Sequence, residues 1–574
     1  MGRRARWLLC ALLLPLSACS GEKKAAVEKQ PEQVLRQQSP FNVARTQVPA
    51  CDALVDEAEM LLWPHAGPQL RASMAAAAPS FGRESGPRVV EALTAHGVRW
   101  AQRSAQLCVR HSTQGAVSAL EQKQRSACLS EAFARLRSLV SALEQGDAGV
   151  VEWASHAVDQ LDARLVTCEL PAVFQGYDID AIGDARAVQA LADVEVFAML
   201  RRGEDSQRAM HRLKGELPRS ESQLLRARAM VLDARGRDEA AAEDLLERAL
   251  LHYKEAASAD GRMRALLLAA QVYADYEHYG DARAQLELAL QSCDGLYGKA
   301  SVQCAAARRA MAQVAARGGQ PGRARELLEE GLAGLVAVGA VARSEALMLR
   351  VALLSVALRA GDLPRARAQG QKLAALGPKL LGPEHPQVGD HWLLRGRLAT
   401  RMGQHRMAVK AFERALRIHR AAHGESHRRV ADDLASLGRA LRAQGQAKRA
   451  SVIFERALRV RKGLDGGRAG RALGRALFEA AQAQIEAGRP PKRCLERLQQ
   501  ARQIYEKQLG VDHAEVGEVV DLMGRYFSAK GNHRKAYMQH LEAVKILSAA
   551  LGSDHQKTRA AMERLDRAVD AQGR

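Results

Sequence analysis

Large, small and polar residues recur at one fixed spacing through the second half of the chain. One copy of the pattern consists of Trp392, Gly396, Gly403, Ala408, Phe412 and Ala415. The next copy lies 42 residues further on, at Leu434, Gly438, Gly445, Ala450, Phe454 and Ala457. A third copy consists of Met523, Gly524, Phe527, Gly531, Ala536 and Ala543. The spacing predicts two antiparallel helices per copy, because small residues let the helices approach and large ones fill the space between them.

The turn positions of this pattern extend the repeat over most of the chain. They fall at Gly236, at residues 277–280, and at Gly319, Gly361, Gly403, Gly445, Gly488 and Gly531. Each turn glycine is expected to end the first helix of a pair in a left-handed conformation. The sequence therefore predicts a degenerate helical pair over 176–221, about eight helix pairs over 222–555 and a capping helix over 556–574. Such pairs cannot bury their apolar faces alone, so we expect them to stack into an all-α, right-handed α-solenoid.

The pattern resembles the tetratricopeptide repeat, and the residues after each second helix resemble its kinesin-light-chain type. In four of these segments a glycine lies three residues before a histidine. The pairs are Gly382 and His385, Gly424 and His427, Gly510 and His513, and Gly552 and His555. The resemblance implies a superhelix whose concave groove binds a peptide or another protein, without a cofactor.

The same resemblance places a row of side chains from the first helix of each pair, helix A, in the concave groove. The residues at these positions are Arg397, Arg401, Arg439, Arg442 and Arg525. Arginine binds carboxylates through two parallel hydrogen bonds, so an acidic peptide is one expected partner. The alternative is that these arginines only solvate exposed helix faces, as long charged side chains commonly do.

Cysteine spacing in residues 49–175 predicts a helical domain closed by disulfides. The predicted helices are residues 51–76, 84–110, 116–145 and 149–168. Facing residues in an antiparallel helical hairpin have a constant sum of residue numbers. This rule pairs Cys51 with Cys108 and Cys128 with Cys168. Disulfides of this kind persist in an oxidising compartment.

The remaining cysteines leave several possibilities open. Cys293 and Cys304 flank a short loop and are a third candidate pair, while Cys494 is left over. Free buried cysteines are the alternative for all three pairs. A structural zinc site is a further alternative, although the usual spacing of two cysteines separated by two residues is absent.

The cysteine and tryptophan positions of this domain resemble a segment that precedes tetratricopeptide repeats in some bacterial serine/threonine protein kinases. The matching residues are Cys51, Trp63, Trp100, Cys108, Cys128 and Cys168. In those kinases the segment lies outside the membrane. The sequence itself has no glycine-rich phosphate loop, no Val-Ala-Ile-Lys strand and no His-Arg-Asp loop, which excludes a kinase domain in this chain.

The N-terminus has the pattern of an export signal. Residues 1–6 are basic, and the apolar run over 7–16 is too short to span a bilayer, so residues 1–18 are a predicted signal peptide. Residues 16–19, Leu-Ser-Ala-Cys, resemble the bacterial lipobox. The resemblance implies that Cys19 carries lipid and that the protein is anchored in the cell envelope, at the outer membrane. Residues 19–48 are a predicted flexible tether, because the segment is polar. An ordinary signal peptide with an incidental cysteine is the alternative.

Composition narrows the class of partner. The 574 residues include 85 Lys and Arg against 65 Asp and Glu, a formal net charge of +20. Loss of Arg3, Arg4 and Arg6 with the signal peptide leaves 20 − 3 = +17. The 47% hydrophobic content excludes a mostly disordered chain, and the 4% aromatic content disfavours base-stacking platforms. Since export also disfavours nucleic acid, the charge favours lipid headgroups, anionic polymers or an acidic protein.

Residue constellations in the sequence give no support for catalysis. His419, His423 and His427 lie four residues apart, like a metal-binding helix face. His427 nevertheless occupies the same turn position as His385, where a histidine is expected to bond the backbone. The sequence has no phosphate-binding loop, zinc-protease motif or nucleophile elbow. We therefore expect a protein that is not an enzyme and holds neither metal nor cofactor.

Two hypotheses for function follow from these patterns. The first is a lipid-anchored scaffold of the bacterial envelope whose solenoid recruits or assembles another protein. The second is an extracytoplasmic sensor module related to receptor kinases with tetratricopeptide repeats, which binds a ligand and signals through a partner.

Overall fold

The protein is built from helices throughout the part of the chain that the structure describes. This computed structural model describes residues 38–174, 185–217, 223–234, 239–255, 258–340, 344–464, 470–488 and 490–572. No helix within these ranges combines the length and apolar composition that a bilayer span requires. The predicted signal peptide and Cys19 lie outside the described residues.

An N-terminal helical domain comprises residues 39–174. It begins with a 3-10 helix at Pro40–Ala44, followed by α1 (Pro49–Leu62), α2 (Ala66–Ala77), α3 (Gly82–Ser112), α4 (Ala119–Gln145), α5 (Ala148–Thr167) and the short α6 (Pro171–Phe174). In its core, Trp100 stacks on Phe133 with ring centroids 4.2 Å apart. The Trp100 indole nitrogen also donates to the carbonyl of Leu129 at 2.7 Å, which satisfies a buried polar group. These two contacts fix α3 on α4.

The folded domain begins earlier than the sequence predicts. Phe41 is fully buried in the domain core and lies close to Gly97 of α3. Ser39 caps the 3-10 helix by accepting a hydrogen bond from the Phe41 N–H at 3.2 Å. The predicted boundary of the tether at residue 48 is therefore wrong, because burial of one aromatic side chain holds this otherwise polar segment on the domain.

The predicted single helix over residues 51–76 is two helices. The first ends at Leu62, and Trp63 has extended dihedral angles, with φ of −146° and ψ of 148°. Pro64 explains the break, because a proline disfavours the helical conformation of the residue before it. Both α1 and α2 still pack against α3, so the hairpin geometry that was used to pair the cysteines is preserved.

Three disulfides join the cysteines that the sequence places in pairs. They are Cys51–Cys108, Cys128–Cys168 and Cys293–Cys304, each with Cα atoms 5.6 Å apart. The first two link helices of the N-terminal domain, and the third closes the turn between two repeats. Cys494 is free and buried, and its thiol donates to the side-chain oxygen of Gln484 at 2.8 Å.

Stacked helix pairs follow the N-terminal domain. The first pair, α7 (Ala185–Met199) and α8 (Gly203–Glu216), stands where the degenerate pair was predicted. In the described part of the chain, helices A and B of repeats 1 to 8 are Gln223–Ala234 and Glu239–Glu255, Ala259–Asp275 and Tyr279–Tyr297, Val302–Arg317 and Pro321–Ala337, Ser344–Ala360 and Leu363–Leu381, Pro386–Arg401 and His405–His423, Arg428–Ala443 and Ala447–Leu464, Arg471–Glu486 and Arg493–Leu509, and Ala514–Ala529 and His533–Leu551. A C-terminal helix, Gln556–Gln572, packs on repeat 8. The predicted all-α solenoid is confirmed.

Residues with positive φ form the turns between helix A and helix B. The angle φ is 77° at Gly361, 70° at Gly403 and 74° at Gly445, as predicted for a left-handed helix end. In repeat 2 the corresponding turn contains Glu277, with φ of 68°. Glycine adopts this conformation without steric cost, which explains its recurrence at the turn.

Within a repeat, a glycine on helix A faces a ring on helix B. A Cβ atom on Gly396 would lie 2.4 Å from the ring of Phe412, and one on Gly438 would lie 2.8 Å from that of Phe454. Since real Cβ atoms essentially never come within 3.0 Å of another heavy atom, a larger residue would force the two helices apart. The alternation of small and large residues in the sequence therefore sets the separation between the helices.

Candidate binding groove

The A helices form the inner side of the solenoid. Each helix A packs against helix A of the next repeat, whereas consecutive B helices pack less closely on one another. The inner side of a curved stack is the side on which neighbouring elements come closest. The A helices therefore line the concave groove, and the B helices form the outer face.

Helix α5 of the N-terminal domain lies across this groove. The Glu152 carboxylate lies 2.6 Å from Arg429, and the Glu152 carbonyl accepts a hydrogen bond from Gln387 at 3.4 Å. Further along α5, Asp159 accepts the N–H of Ser344 at 2.6 Å, and the carbonyl of Ala163 accepts a hydrogen bond from Gln303 at 2.6 Å. These partners lie at or near the first turn of helix A in repeats 6, 5, 4 and 3, respectively. One helix of the N-terminal domain thus contacts four consecutive repeats.

Glu152 is the charged centre of this contact. Its carboxylate is buried, accepts a hydrogen bond from Arg429 at 2.6 Å and lies 3.5 Å from Nε2 of His423. Burial raises the pKa of Glu152, although the Arg429 guanidinium opposes this shift. Arg429 also lies 3.2 Å from Asp390. The ion pair has one member in each structural unit. Loss of Arg429 would leave the buried Glu152 carboxylate without its guanidinium partner, whereas loss of Glu152 would leave Arg429 paired with Asp390.

His419 is a second buried charge, directly behind this contact. Its Nδ1 lies 2.6 Å from Asp433, and its Nε2 lies 3.0 Å from the carbonyl of Pro386 and 3.4 Å from Asp390. Burial opposes a charge on His419, but the hydrogen bonds to Asp390 and Asp433 outweigh burial and raise its pKa to about 9. A protonated histidine donates through both ring nitrogens. His419 is therefore a structural cation. It connects helix B of repeat 5 (helix 5B) to helix A of repeat 5 (helix 5A) and helix A of repeat 6 (helix 6A), and the other repeat helices are labelled in the same way.

The turn histidines cap helices, as the sequence predicts. Nδ1 of His385, His427, His513 and His555 each accepts the N–H two residues later, at 3.2 to 3.3 Å. The His427 ring also stacks on His423 with centroids 4.1 Å apart. Within the described ranges, no cluster of His, Cys, Asp or Glu side chains is arranged to hold a metal ion.

A first cavity of about 390 Å³ lies beside the C-terminal half of α5. Gln160 and Ala163 of α5 form one wall, and Leu267, Gln271 and Ala306 are among the inward-facing residues of helices 2A and 3A on the other. The walls combine aliphatic side chains with amide groups. Such a lining suits an extended polypeptide, which has both apolar side chains and polar backbone groups.

A cluster of arginines borders the first cavity around Glu195 of α7. Glu195 accepts hydrogen bonds from Arg135 at 2.5 Å, from Arg164 at 2.5 Å and from Arg228 at 2.9 Å. Burial opposes ionisation of Glu195, but these guanidiniums outweigh burial and hold its pKa well below the usual value. The cluster joins the N-terminal domain, α7 and repeat 1 at one end of the groove.

A second cavity, of about 370 Å³, lies beside the N-terminal half of α5. It is lined by Trp153 of α5 together with Ser355 and Arg359 of helix 4A. The guanidinium of Arg201, another lining residue, lies 3.7 Å above the centre of the Trp153 ring. Within the described residues, neither Arg201 nor Arg359 has a carboxylate partner. The second cavity therefore presents two guanidiniums without a carboxylate in direct contact, and the carboxylate of Asp390 is also part of its lining.

The predicted groove arginines lie on helix A of repeats 5, 6 and 8, and most have partners in the chain. Arg439 binds Glu479 at 2.7 Å, Arg442 and Arg525 lie 3.7 and 3.4 Å from Glu486, and Arg401 donates to the carbonyl of Leu358 at 3.0 Å. Arg397 has no carboxylate within hydrogen-bonding distance in the described ranges, and burial lowers its pKa. It is the member of this row that stays most available to an external anion.

Sequence analysis did not identify the residues that dock α5 on the repeats. Glu152 and Arg429 are separated by 277 positions, and neither lies in a motif. A partial signal existed for Glu195 and Arg135, which interrupt predominantly apolar helix faces. Buried charges at such positions usually have a partner, but the sequence does not identify it.

One protein family is similar in sequence to the middle of the solenoid. The tetratricopeptide repeat family matches residues 345–421 and, in an overlapping register, residues 387–463. The first match covers repeats 4 and 5, and the second covers repeats 5 and 6. No curated protein matches the sequence of this chain.

Several solved structures are similar to part of the chain. The apo form of the quorum sensor NprR from B. thuringiensis has 12% identity and a TM-score of 0.47, and the match covers 64% of this chain and 100% of NprR. The apo form of RapI has 12% identity and a TM-score of 0.47, and the match covers 63% of this chain and 97% of RapI. BtubC (BKLC) from P. vanneervenii has 18% identity and a TM-score of 0.35, and the match covers 43% of this chain and 92% of BtubC. On the family match, residues 345–463 of this chain are tetratricopeptide repeats.

Proposed function

We propose that the chain is a non-catalytic binding protein of the bacterial envelope that holds an extended segment of another protein in its concave groove. The observation that carries the proposal is the pair of cavities, about 390 and 370 Å³, between α5 and the A helices. Arg309 lines both cavities, so they lie next to each other along the groove. Tetratricopeptide repeats form extended concave binding surfaces, which agrees with this use.

The bound segment is proposed to be acidic. Arg201 and Arg359 line the second cavity, and Arg397 lies further along the same concave face, on helix A of the next repeat. None of these three has a carboxylate partner within the described residues. Guanidinium groups bind carboxylates by charge-assisted hydrogen bonds, so acidic side chains or a free C-terminus would neutralise them.

The envelope location and the lipid anchor belong to the same proposal. They are supported by the basic and apolar N-terminal residues and by the lipobox-like residues 16–19. Acylation of Cys19 would hold the solenoid at a bilayer, where the groove recruits or assembles a partner that is itself in the envelope.

Site-specific photocrosslinking tests the groove. A photoreactive residue replaces Ser355, which lines the second cavity, or Gln371, an exposed residue on helix B of the same repeat. We expect a discrete adduct in living cells from position 355 and none from position 371. Adducts of equal strength from both positions, or from neither, would contradict a groove-bound partner.

A charge reversal tests the acidic character of the segment. Arg359→Glu in the second cavity should weaken the position-355 adduct at least about tenfold, since a hydrogen bond to a charged group contributes roughly 1.5–3 kcal/mol. Arg367→Glu, on the exposed face of helix 4B, makes the same change of charge outside the groove and should leave the adduct unchanged. Equal adduct yields from the two variants would contradict an acidic ligand.

A sensor role is the second candidate. It is favoured by the position of α5, because a ligand in either cavity would touch both the N-terminal domain and the repeats. Identification of the position-355 adduct separates the two roles. A kinase or regulator in the adduct supports sensing, and a secretion or assembly component supports scaffolding.

A further inference from the structure

Half of the net positive charge of the chain lies in one short stretch that contains two helices of the outer face of the solenoid. Residues 405–464 contain 15 Lys and Arg against 5 Asp and Glu, which gives 15 − 5 = +10 of the total +20. This stretch comprises helix 5B, helix 6A and helix 6B. Helix 6A faces the groove, so the B helices carry the charge on the outer face.

The basic residues of the two B helices lie on the exposed side of each helix. Exposed cations include Arg406, Lys410, Arg417 and Arg420 on helix 5B and Lys448, Arg459 and Lys462 on helix 6B. In helix 5B they are spaced by four, seven and three residues, opposite the buried stripe that contains Ala408, Phe412 and Ala415. From Arg406 to Arg420 this face is about 21 Å long, at 1.5 Å per residue. We call these seven residues the outer basic patch.

The chain leaves most of this charge without a partner. Within the described ranges, Arg406, Lys410, Lys448, Arg459 and Lys462 have no carboxylate partner. Contacts of the other two are long, with Arg417 lying 3.9 Å from Glu384 and Arg420 lying 3.6 Å from Glu425. Two acidic residues lie on these helices. Glu413 is exposed on helix 5B, and Glu455 of helix 6B is already paired with Arg497 of the next repeat.

Further exposed cations lie on the neighbouring helix 4B, namely Arg367, Lys372 and Lys379, and they extend this basic surface beyond the outer basic patch. In repeat 4, the residues 42 positions before Arg406, Lys410 and Arg417 are Pro364, Ala368 and Ala375. In repeat 7 the exposed side of helix B includes Glu496, Gln499 and Gln503. The basic surface of the B helices therefore runs from repeat 4 to repeat 6, and helix 7B interrupts it.

Two exposed apolar side chains lie among these cations. Met407 is 57% exposed on helix 5B, and Val452 is 67% exposed at the centre of the basic face of helix 6B. A surface that combines cations with exposed apolar groups suits the boundary between lipid headgroups and acyl chains. A phosphodiester backbone alone would interact with the cations and leave the apolar side chains in water.

We infer that the outer basic patch docks on an anionic lipid bilayer. Clusters of four to eight basic residues beside a bilayer are typical of binding to anionic headgroups. The patch lies on the opposite side of the repeats from the groove, so membrane contact leaves the groove open to its partner. The inference does not depend on the identity of the groove ligand or on acylation of Cys19.

Co-sedimentation of the full chain with vesicles tests this inference. One set of vesicles contains equal parts of phosphatidylglycerol and phosphatidylcholine, and the other contains phosphatidylcholine alone. An apolar N-terminus or an acyl chain contributes equally to both sets, so the ratio of binding between them reports the patch. We expect a ratio well above one at low salt that declines at high salt.

Matched charge reversals locate the effect. Lys448→Glu with Arg459→Glu alters the patch, while Arg534→Glu with Lys545→Glu makes the same change of charge on exposed positions of helix 8B. Because each basic residue near an anionic surface contributes roughly a fivefold change in binding, the first pair should lower the ratio at least about 25-fold. The second pair should leave it nearly unchanged, and circular dichroism should show both variants folded.

Three results would overturn the inference. They are an equal loss of binding in the two variants, equal binding to both kinds of vesicle, and binding to duplex DNA but not to anionic vesicles with the same dependence on Lys448 and Arg459. The position-355 crosslink in the patch variant keeps the two proposals separate. It should persist when vesicle binding is lost.

Discussion

At the scale of single residues, contacts between glycines and aromatic rings determine how closely the helices of a repeat approach. Gly396 and Gly438 occupy the same position in repeats 5 and 6, and each faces a phenylalanine on helix B. Repeat 8 has the same arrangement with a different ring, since Gly524 faces His540. The three repeats therefore share the room that a glycine leaves for a ring on helix B, whereas the type of ring differs.

One substitution made at two positions tests this packing. Gly438→Ala should lower the free energy of unfolding by roughly 1–3 kcal/mol, because its methyl group would overlap the Phe454 ring. Gly280→Ala, at a helical position with no atom within 4 Å of the added carbon, should be neutral or slightly stabilising. Chemical denaturation measures both. Equal effects would show that the contact with Phe454 is unimportant.

Histidines near the α5 contact predict loss of stability on both sides of neutral pH. The pKa of His419 is raised to about 9 by its carboxylate partners, so its contribution is complete below pH 6.5 and declines as the pH rises to 9. Burial lowers the pKa of His385 and of His423 to about 3, so their contribution is complete above pH 6.5 and declines on acidification. Each group changes stability by about 1.4 kcal/mol per pH unit within its window.

Thermal unfolding across this pH range checks the assignment. His419→Gln should flatten the alkaline side of the profile, and His385→Asn should flatten the acidic side. A wild-type profile that is flat from acid to alkaline pH would contradict both assignments, as would variants with unaltered profiles.

The sequence predicts where the groove arginines lie but not how they are neutralised. Helical periodicity places Arg439 and Arg525 on helix A. Their partners Glu479 and Glu486 lie about one repeat away along the chain, and only the stacking geometry brings them within reach. The availability of Arg397 is therefore a property of the fold and not of the motif.

At the scale of elements, the position of α5 is the main feature that sequence analysis does not provide. The spacing of small residues and the turn glycines are periodic signals, and they predicted the helix pairs. The constant sum of residue numbers for facing cysteines is a local signal, and it predicted the disulfide pairs of the hairpins. The contact of α5 with repeats 3 to 6 depends on side chains that differ from repeat to repeat, such as Gln303, Gln387 and Arg429. A contact without a periodic signal leaves no pattern in a single sequence.

The docking of α5 can be tested through Glu152. Glu152→Ala should cost roughly 1.5–3 kcal/mol of docking free energy, because it removes the charge-assisted hydrogen bond to Arg429 and leaves that guanidinium with Asp390 as its carboxylate partner. Hydrogen exchange should then accelerate in α5 and in the first turns of helices 4A to 6A. Glu413→Ala, an exposed position on helix 5B, is the control and should exchange like the wild type. Unchanged protection in the Glu152 variant would show that the ion pair does not hold α5.

At the scale of the whole molecule, the proposed anchor and the outer basic patch are two separate means of reaching a bilayer. The anchor depends on the first residues of the chain, and the patch depends on repeats 5 and 6. Each attachment would contribute to membrane affinity by itself, the anchor through buried acyl chains and the patch through anionic headgroups. The two features therefore have to be tested independently.

Metabolic labelling with palmitate tests the anchor. The wild-type chain should incorporate label, and Cys19→Ala should not, because that thiol is the proposed acceptor. Cys494→Ala, which removes a buried free thiol, is the control and should be labelled like the wild type. Labelling of equal strength in all three chains would contradict acylation at Cys19.

The contacts of α5 have a mechanical consequence for the solenoid. An α-helix has a nearly fixed rise, so the segment from Glu152 to Ala163 is a rigid spacer of about 16 Å. Its ends are bonded to repeats 6 and 3, which sets the pitch of the superhelix between them. Repeats 7 and 8 lie beyond this spacer, so any adjustment of curvature to partners of different size falls to the C-terminal end of the stack.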